Sequence, residues 1–324
     1  MTLQSSVNRL SSIAKAVRQW ADSDYQSESF APDQADRFDP PRLAPYLFLH
    51  VGCLLVFLVG WSWFAVGAAA FLYFIRMFAI TGFYHRYFSH RAFRTSRLMQ
   101  FIFAVWGNTS MQRGALWWAS THRHHHQHSD EESDKHSPVR HGFLYSHLGW
   151  LTCRKNFPTD YTKIKDFAAF PELVFLNRFD FFVPILFGIV LWIIGALLET
   201  YVPGLGTNGG QLFVWGFFIS TVFLMHGTLF INSLSHMLGN RRFDTDDDSR
   251  NNPVLAAITL GEGWHNNHHR YAHSARQGFY WWEFDVTYYL LRAMSVCGLI
   301  WDLKPVPAHV YEEAAAAKQS KSET

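Results

Sequence analysis

Two stretches of this chain carry histidines at a spacing suited to binding metal: Thr121-His-Arg-His-His-His-Gln-His-Ser-Asp130 and Gly261-Glu-Gly-Trp-His-Asn-Asn-His-His269. Both contain H-x-x-H-H. On an α-helix these positions are i, i+3 and i+4, so three imidazoles share one face. Neutral imidazole is the commonest side-chain metal ligand. His122, His125 and His126 form one triangle, and His265, His268 and His269 the other. His124 lies about 200° around the helix from His122 and falls outside the set. Two such triangles predict a metal centre shared between two helices.

Further donors come from His85-Arg-Tyr-Phe-Ser-His90 and from Asn232-Ser-Leu-Ser-His236. Asn232 and His236 are i, i+4 and share a face. His85 and His90 are i, i+5, about 140° apart on an ideal helix, which predicts a helix end or bulge between them. Nine nitrogens exceed the four of a tetrahedral zinc site. They suit two metals with positions left open, as oxygen-activating iron requires. His50 reads as a satisfied residue within an apolar run. His128, His136, His141, His147, His226, His273 and His309 lack face-matched partners and read as residues that support the ligands or lie at the surface, with His147 the best placed to orient a ligand. Asp130, Asp134 and Glu262 are candidates for orienting ligand imidazoles.

The elements that must hold these side chains are membrane spans. From Leu43 to Tyr84 the only charged residue is Arg76. A span needs ~20 apolar residues, and this run is about twice that. It predicts a hairpin: one span near 45–62, a turn at Gly60–Trp63, and a return to about Tyr84. Phe181–Val202 and Gln211–Ile231 predict a second hairpin, turned at Pro203–Gly210. The fold class is therefore an all-α integral membrane protein, with four transmembrane helices in two hairpins and a helical cap carrying the histidines. The turns are uncharged and the Lys/Arg-bearing segments lie on the histidine side, which places the cap and both termini in the cytoplasm. Arg76 is expected to snorkel to that interface. Residues 97–119, interrupted by Gly107, Asn108, Gln112 and Arg113, read as helices at the membrane surface that lead into the second histidine cluster. Residues 1–41 form a polar cytoplasmic arm, 42–302 the transmembrane and metal-binding domain, and 303–324 a polar tail. Within the arm, Leu10, Ile13, Ala14 and Val17 recur at helical spacing, fitting an amphipathic helix on anionic lipid, an ordinary surface helix or a disordered arm.

Composition agrees. The mean hydropathy is only −0.05 despite these runs, so a large aqueous portion balances them. A formal charge of +2 without a long basic tract argues against a nucleic-acid partner. Cys53, Cys153 and Cys297 are scattered and suggest neither a disulfide framework nor a thiolate metal site.

Taken together and in order, His-Arg-x-x-x-His (85–90), His-Arg-x-His-His (122–126), Asn-Ser-x-x-His (232–236) and Gly-Glu-Gly-x-His-Asn-x-His-His (261–269) resemble the membrane-bound fatty acyl desaturase family. The likeness runs over about residues 43–285 and is strongest to the delta-9, stearoyl-CoA-type branch. It implies two iron ions (Fe2+/Fe3+) held by the nine histidines, with Asn232 reaching a metal through water. It implies insertion of a cis double bond into a saturated acyl chain, using dioxygen and two external electrons. It also implies a substrate tunnel bent at the irons, with Gln112, Trp118 and Thr228 at the bend by their offsets from the motifs. A saturated chain has no polar handle at mid-length, so position along it must come from tunnel shape and headgroup anchoring.

The acyl carrier stays open among CoA, acyl-carrier protein and an intact lipid, because Trp118-Ala-Ser-Thr121 lacks the charges that help hold CoA in the animal enzymes. No His-Pro-Gly-Gly segment is present, which implies a separate electron donor, a ferredoxin or a cytochrome-b5-type protein with its reductase. The implied location is the plasma membrane of a bacterium or the endoplasmic reticulum of a eukaryote. The rival readings are a hydroxylase or ketolase using the same iron, and a metal transporter, which would place its ligands at mid-span.

Overall fold

The structure, a computed structural model, describes residues 11–25 (apart from 16 and 19) and 38–322. Among these, four helices are long and apolar enough to cross a membrane: Arg42–Val59, Trp63–Ser89, Phe182–Tyr201 and Gly209–His236. The second and fourth continue past their last apolar residues, so His85 and His236 are carried on the spans themselves. Each hairpin turn has a local cause. Gly60 ends the first span with φ 69°, a conformation that favours glycine, and the Ser62 hydroxyl then caps the return helix by accepting from the Ala65 nitrogen at 3.1 Å. Asn208 caps the fourth span in the same way, accepting from the Gln211 nitrogen at 2.9 Å. Phe57, Leu58, Trp192 and Phe223 point outward, the apolar exterior that lipid requires.

The second span changes character along its length. It is α-helical over Trp63–Phe78 and a π-helix over Ala79–Ser89. An i→i+5 ladder brings residue i+5 over residue i. The His90 nitrogen accordingly donates to the His85 carbonyl at 3.2 Å, and their rings stand 4.9 Å apart. The irregularity expected between these two histidines thus extends over the whole cap end of the span. The fourth span carries its own π turn at Val214–Ile219 and tightens to a 3-10 turn at Leu234–His236.

Arg76 does not snorkel. It is fully buried, and its guanidinium donates to Thr221 Oγ1 and Ser220 Oγ, both at 2.7 Å, and to the Gly216 and Thr109 carbonyls at 3.2 Å. The fourth span and the cap loop supply enough acceptors to satisfy the charge in place, and the side chain pins the second span to the fourth.

Residues 97–119 do not form a span; they fall into two helices, Arg97–Asn108 and Ala115–Gln127, the latter largely buried. The first is two-sided, with Phe103 and Ala104 buried and Leu98 exposed. Short helices Pro253–Ile258, His265–Arg270 and Val286–Val296 complete the cap, with a two-stranded ribbon pairing Arg94–Thr95 and Ile300–Trp301. In the arm, helical residues 11–15 and 17–18 leave Ile13 and Val17 exposed; Leu10 lies outside the described residues. The tail helix Ala308–Ser322 packs Val310 and Ala314 against Phe243 and Phe279 of the cap.

Candidate metal centre

The nine histidines resolve into two groups. One ring nitrogen from each of His85, His90, His122, His126 and His268 lies within 4.8 Å of the others, and the same holds for His125, His236, His265 and His269. Facing Nε2 atoms are 2.8 Å apart for His90 and His122, 3.0 Å for His85 and His268, 2.9 Å for His126 and His268, and 3.1 Å for His236 and His265. Two imidazoles at right angles on a metal about 2.1 Å away sit roughly 3 Å apart. The spacing is that of ligands around an ion. Each H-x-x-H-H triangle is divided between the groups. His122 and His126 turn to one and His125 to the other, while His268 joins the first and His265 and His269 the second. His124 faces away and meets the Ser133 carbonyl at 2.9 Å.

Carboxylates fix which nitrogen is offered. Asp134 accepts from His125 Nδ1 at 3.0 Å, Asp130 from His236 Nδ1 at 2.8 Å, and Asp247 from His269 Nδ1 at 2.5 Å; Glu262 contacts His85 Nδ1. A proton held on Nδ1 leaves the Nε2 lone pair directed inward. Several of these lone pairs then face one another in a buried space, and the His269 Nε2 and His265 Nδ1 atoms have no hydrogen-bond partner. A cation satisfies this donor set, and a metal ion fits it.

Electrostatics keep the ligands in the required form. Burial, reinforced by neighbouring imidazoles, pulls His90, His122, His126, His265 and His268 well below the usual histidine range. Burial likewise takes His269 down to about 4, against the opposing pull of Asp247. His125 is raised, because the charge and hydrogen bond of Asp134 outweigh its burial. Burial would raise Asp130, but the His236 hydrogen bond and charge hold it at about 2. Asp134 and Asp247 are likewise held low against burial, by His125 and His136 and by His269. Replacing Asp134 by Asn should leave His125 poorly oriented and weaken metal retention about 10–100-fold. Stepwise chelator titration with metal analysis measures this.

Asp130, Asp134 and Glu262 stand where the sequence suggested, but three contributors, Asp247, Gln277 and Arg86, were missed. Asp247 lies in an acidic loop whose composition gives no sign of which carboxylate turns inward. His136 is buried with its ring 4.5 Å from His125, and its Nδ1 lies 3.3 Å from Asp134. Gln277 donates to Glu262 at 2.8 Å. Arg86, next in sequence to His85, binds both Glu262 and Asp285 through its Nη2 at 2.9 Å; a charge at the end of an apolar span was the available signal. His147, expected to orient a ligand, instead bonds Ser233 at 3.1 Å and His226 at 2.9 Å. His226 continues to His50 at 3.0 Å, whose Nδ1 donates to the Tyr46 carbonyl, so His50 is satisfied within its span as expected.

The two glycines around Glu262 are required by close approach. Gly261 has φ 127° with Asp285 Oδ1 2.5 Å from any added Cβ, and a Cβ at Gly263 would overlap the Ala256 backbone nitrogen. Gly263→Ala should cost about 3 kcal/mol or more, since backbone cannot yield as a flexible side chain does; thermal unfolding of the purified protein checks it.

The three expected bend residues come together beside this centre. Gln112 donates to Thr228 Oγ1 at 2.9 Å, and Trp118 stacks on His122 at 5.0 Å. Trp118, His122, Thr228 and Asn232 line two adjoining cavities. The first runs past Met111 and Met225, and the second reaches His85, His125 and His265. A family profile described as fatty acid desaturase matches residues 61–296. This chain belongs to the fatty acid desaturase family. It is 36% identical to the sn-1 stearoyl-lipid 9-desaturase of Anabaena variabilis, over 80% of this chain and 91% of that protein. It is 35% identical to the Delta-9 acyl-lipid desaturase 1 of Arabidopsis thaliana, over 83% of this chain and 84% of that protein. Identity to the Acyl-CoA 5-desaturase AL21 of Anemone leveillei is also 35%, over 83% of this chain and 80% of that protein. The relatives of this desaturase thus include acyl-lipid and acyl-CoA forms.

Proposed function

We propose that this desaturase introduces a cis double bond at carbon 9 of a saturated acyl chain, using dioxygen and two electrons from a separate donor protein. The observation that carries this reading is the pair of adjoining cavities: Trp118, Thr228 and Asn232 bound a space that touches both histidine groups. A chain threaded there presents mid-chain methylenes to the centre. His85, His90, His122, His126 and His268 would hold one iron, and His125, His236, His265 and His269 the other, with Asn232 reaching a metal through water. Bound iron would supply the redox chemistry that activates dioxygen. The Gln112–Thr228 hydrogen bond braces one wall of the bend, and Trp118, stacked on His122, forms the facing surface that fixes which carbons lie closest. The apolar lining excludes water. The cap and both termini face the cytoplasm, the side favoured by the Lys/Arg distribution.

The test is turnover of a saturated acyl donor by the purified protein under oxygen-18. Loss of two hydrogens with no oxygen-18 in the product supports desaturation. Retained oxygen-18 would instead show a hydroxylase or ketolase. Trp118→Ala should lower turnover about 10–100-fold and yield a mixture of double-bond positions, because a ~1 Å loss of positioning costs about 100-fold. Mass spectrometry of disulfide adducts of the product reads the positions.

A further inference from the structure

The cavity that reaches the histidines continues in the opposite direction into a third space, sharing Tyr46, Met111 and Arg113 with it. This outer cavity opens where the first and third spans meet the cap, between Pro45 and Leu49 on one side and Phe181 and Pro184 on the other. Two arginines line it. The side chains of Arg42 and Arg113 are each only 8% exposed. Both guanidiniums lie against one ring, with Arg42 3.3 Å and Arg113 3.5 Å from the centroid of Phe157.

Neither arginine is satisfied by the protein alone. Arg113 donates to Asp180 and to the Phe157 carbonyl, both at 2.9 Å, yet its buried Nη2 has no hydrogen-bond partner. Arg42 meets Asp39 through its Nε at 3.3 Å, an ion-pair contact whose geometry falls short of a hydrogen bond. Asp39 is shared with Arg154 at 3.9 Å. Two like charges held on one ring, with a buried Arg113 donor left idle, are costly unless an anion arrives. The backbone is also strained to build the site. Met111 and Arg113 adopt φ of 57° and 69° without being glycine. That winding aims Gln112 at Thr228 and Arg113 at the outer cavity, and such strain persists where the surroundings impose it.

We propose that Arg42 and Arg113 bind a phosphate ester on the acyl carrier, anchoring the headgroup at the mouth of the channel whose far end is the metal centre. The inference rests on the reading of that channel as the acyl site. Guanidinium forks match phosphate geometry and form the stronger, charge-assisted class of hydrogen bond. A mouth between two spans admits a carrier from the bilayer, while CoA and phosphopantetheine bring the same phosphate chemistry from water.

Four stearoyl donors separate these sources when titrated against the purified, metal-loaded protein in nanodiscs, with both binding and turnover recorded. They are stearoyl-CoA, stearoyl-pantetheine (without phosphate), distearoyl phosphatidylglycerol and distearoyl monogalactosyldiacylglycerol (without phosphate). The phosphate-bearing member of at least one pair should bind about tenfold tighter than its match. Arg113→Gln and Arg42→Gln should each erase that preference, raising KM for the preferred donor with kcat retained. Arg113→Lys should restore part of it. Whichever pair shows the preference identifies the source. A thermal melt of each variant separates loss of fold from loss of anchoring, and the Lys variant keeps the question answerable if a Gln variant fails to fold. Equal binding within both pairs, or a preference that survives the substitutions, overturns the anchor. Failure of all four donors to bind or react would overturn the acyl-channel reading instead.

Discussion

His268→Ala should abolish desaturation, lowering turnover by a hundredfold or more, and should reduce bound metal from about two ions per chain to one. His268 Nε2 stands 3.0 Å from His85 and 2.9 Å from His126, so it joins the second span and the cap helix Ala115–Gln127 in the first group. Its loss opens that group to water and removes the link between helices. Replacement of groups that merely orient metal ligands typically costs 10–100-fold, and removal of a ligand exceeds that. The second group keeps all four of its histidines and should keep its ion. His124→Ala is the matched control, because His124 faces the Ser133 carbonyl and belongs to neither group; its activity should stay within about twofold of the parent. Iron analysis and product quantification on the same preparations read both effects.

Arg86→Leu should prevent the protein from accumulating in folded form. The Arg86 side chain is 1% exposed. It donates to Glu262 at 2.9 Å, to both oxygens of Asp285 at 2.9 and 3.0 Å, and to the Ala275 carbonyl at 2.8 Å. Removing it strands two buried carboxylates. Breaking a buried pair costs about 3–5 kcal/mol, and two such losses approach the whole stability of a typical domain, about 5–15 kcal/mol. The damage also reaches the site, since Glu262 contacts His85 and Asp285 caps helix Val286–Val296 by accepting from the Tyr288 nitrogen at 2.9 Å. Arg86→Lys keeps the charge but not the fork, and one ammonium cannot satisfy both carboxylates. It should fold with a lowered melting temperature. Size-exclusion chromatography and thermal unfolding distinguish the three proteins, and a monodisperse, parent-like Leu variant would show that the carboxylates find other partners.

Much of this was legible in the chain because helical periodicity and span length are local properties. The H-x-x-H-H triangles, the outward His124, the four spans and the position of the histidines at span ends all follow from counting along one helix. The His85/His90 spacing demanded an irregularity, but only the folded chain shows a π-helix over Ala79–Ser89. How each triangle divides between two groups depends on where the neighbouring helices lie, which no single segment encodes. Arg76 was misread for the same reason. Its distance to the interface is visible in sequence, whereas the hydroxyls of Ser220 and Thr221 reach it from a span about 140 residues away. Asp247 sits in Asp244-Thr-Asp-Asp-Asp248, where four acids are equivalent on paper and only packing turns one toward His269. His147 was placed wrongly because its helix turns toward His226 of the fourth span, a tertiary choice that spacing does not report.

The measurement that bears most directly on the central claim is fatty-acid profiling of a host that lacks its own desaturase and expresses this chain. The proposed two-metal centre beside an acyl cavity predicts a new monounsaturated acid with a cis double bond at carbon 9, present with the parent chain and absent with His268→Ala. An unchanged saturated profile with iron-loaded, folded protein in the membrane, or a hydroxylated acid in place of the alkene, would contradict it.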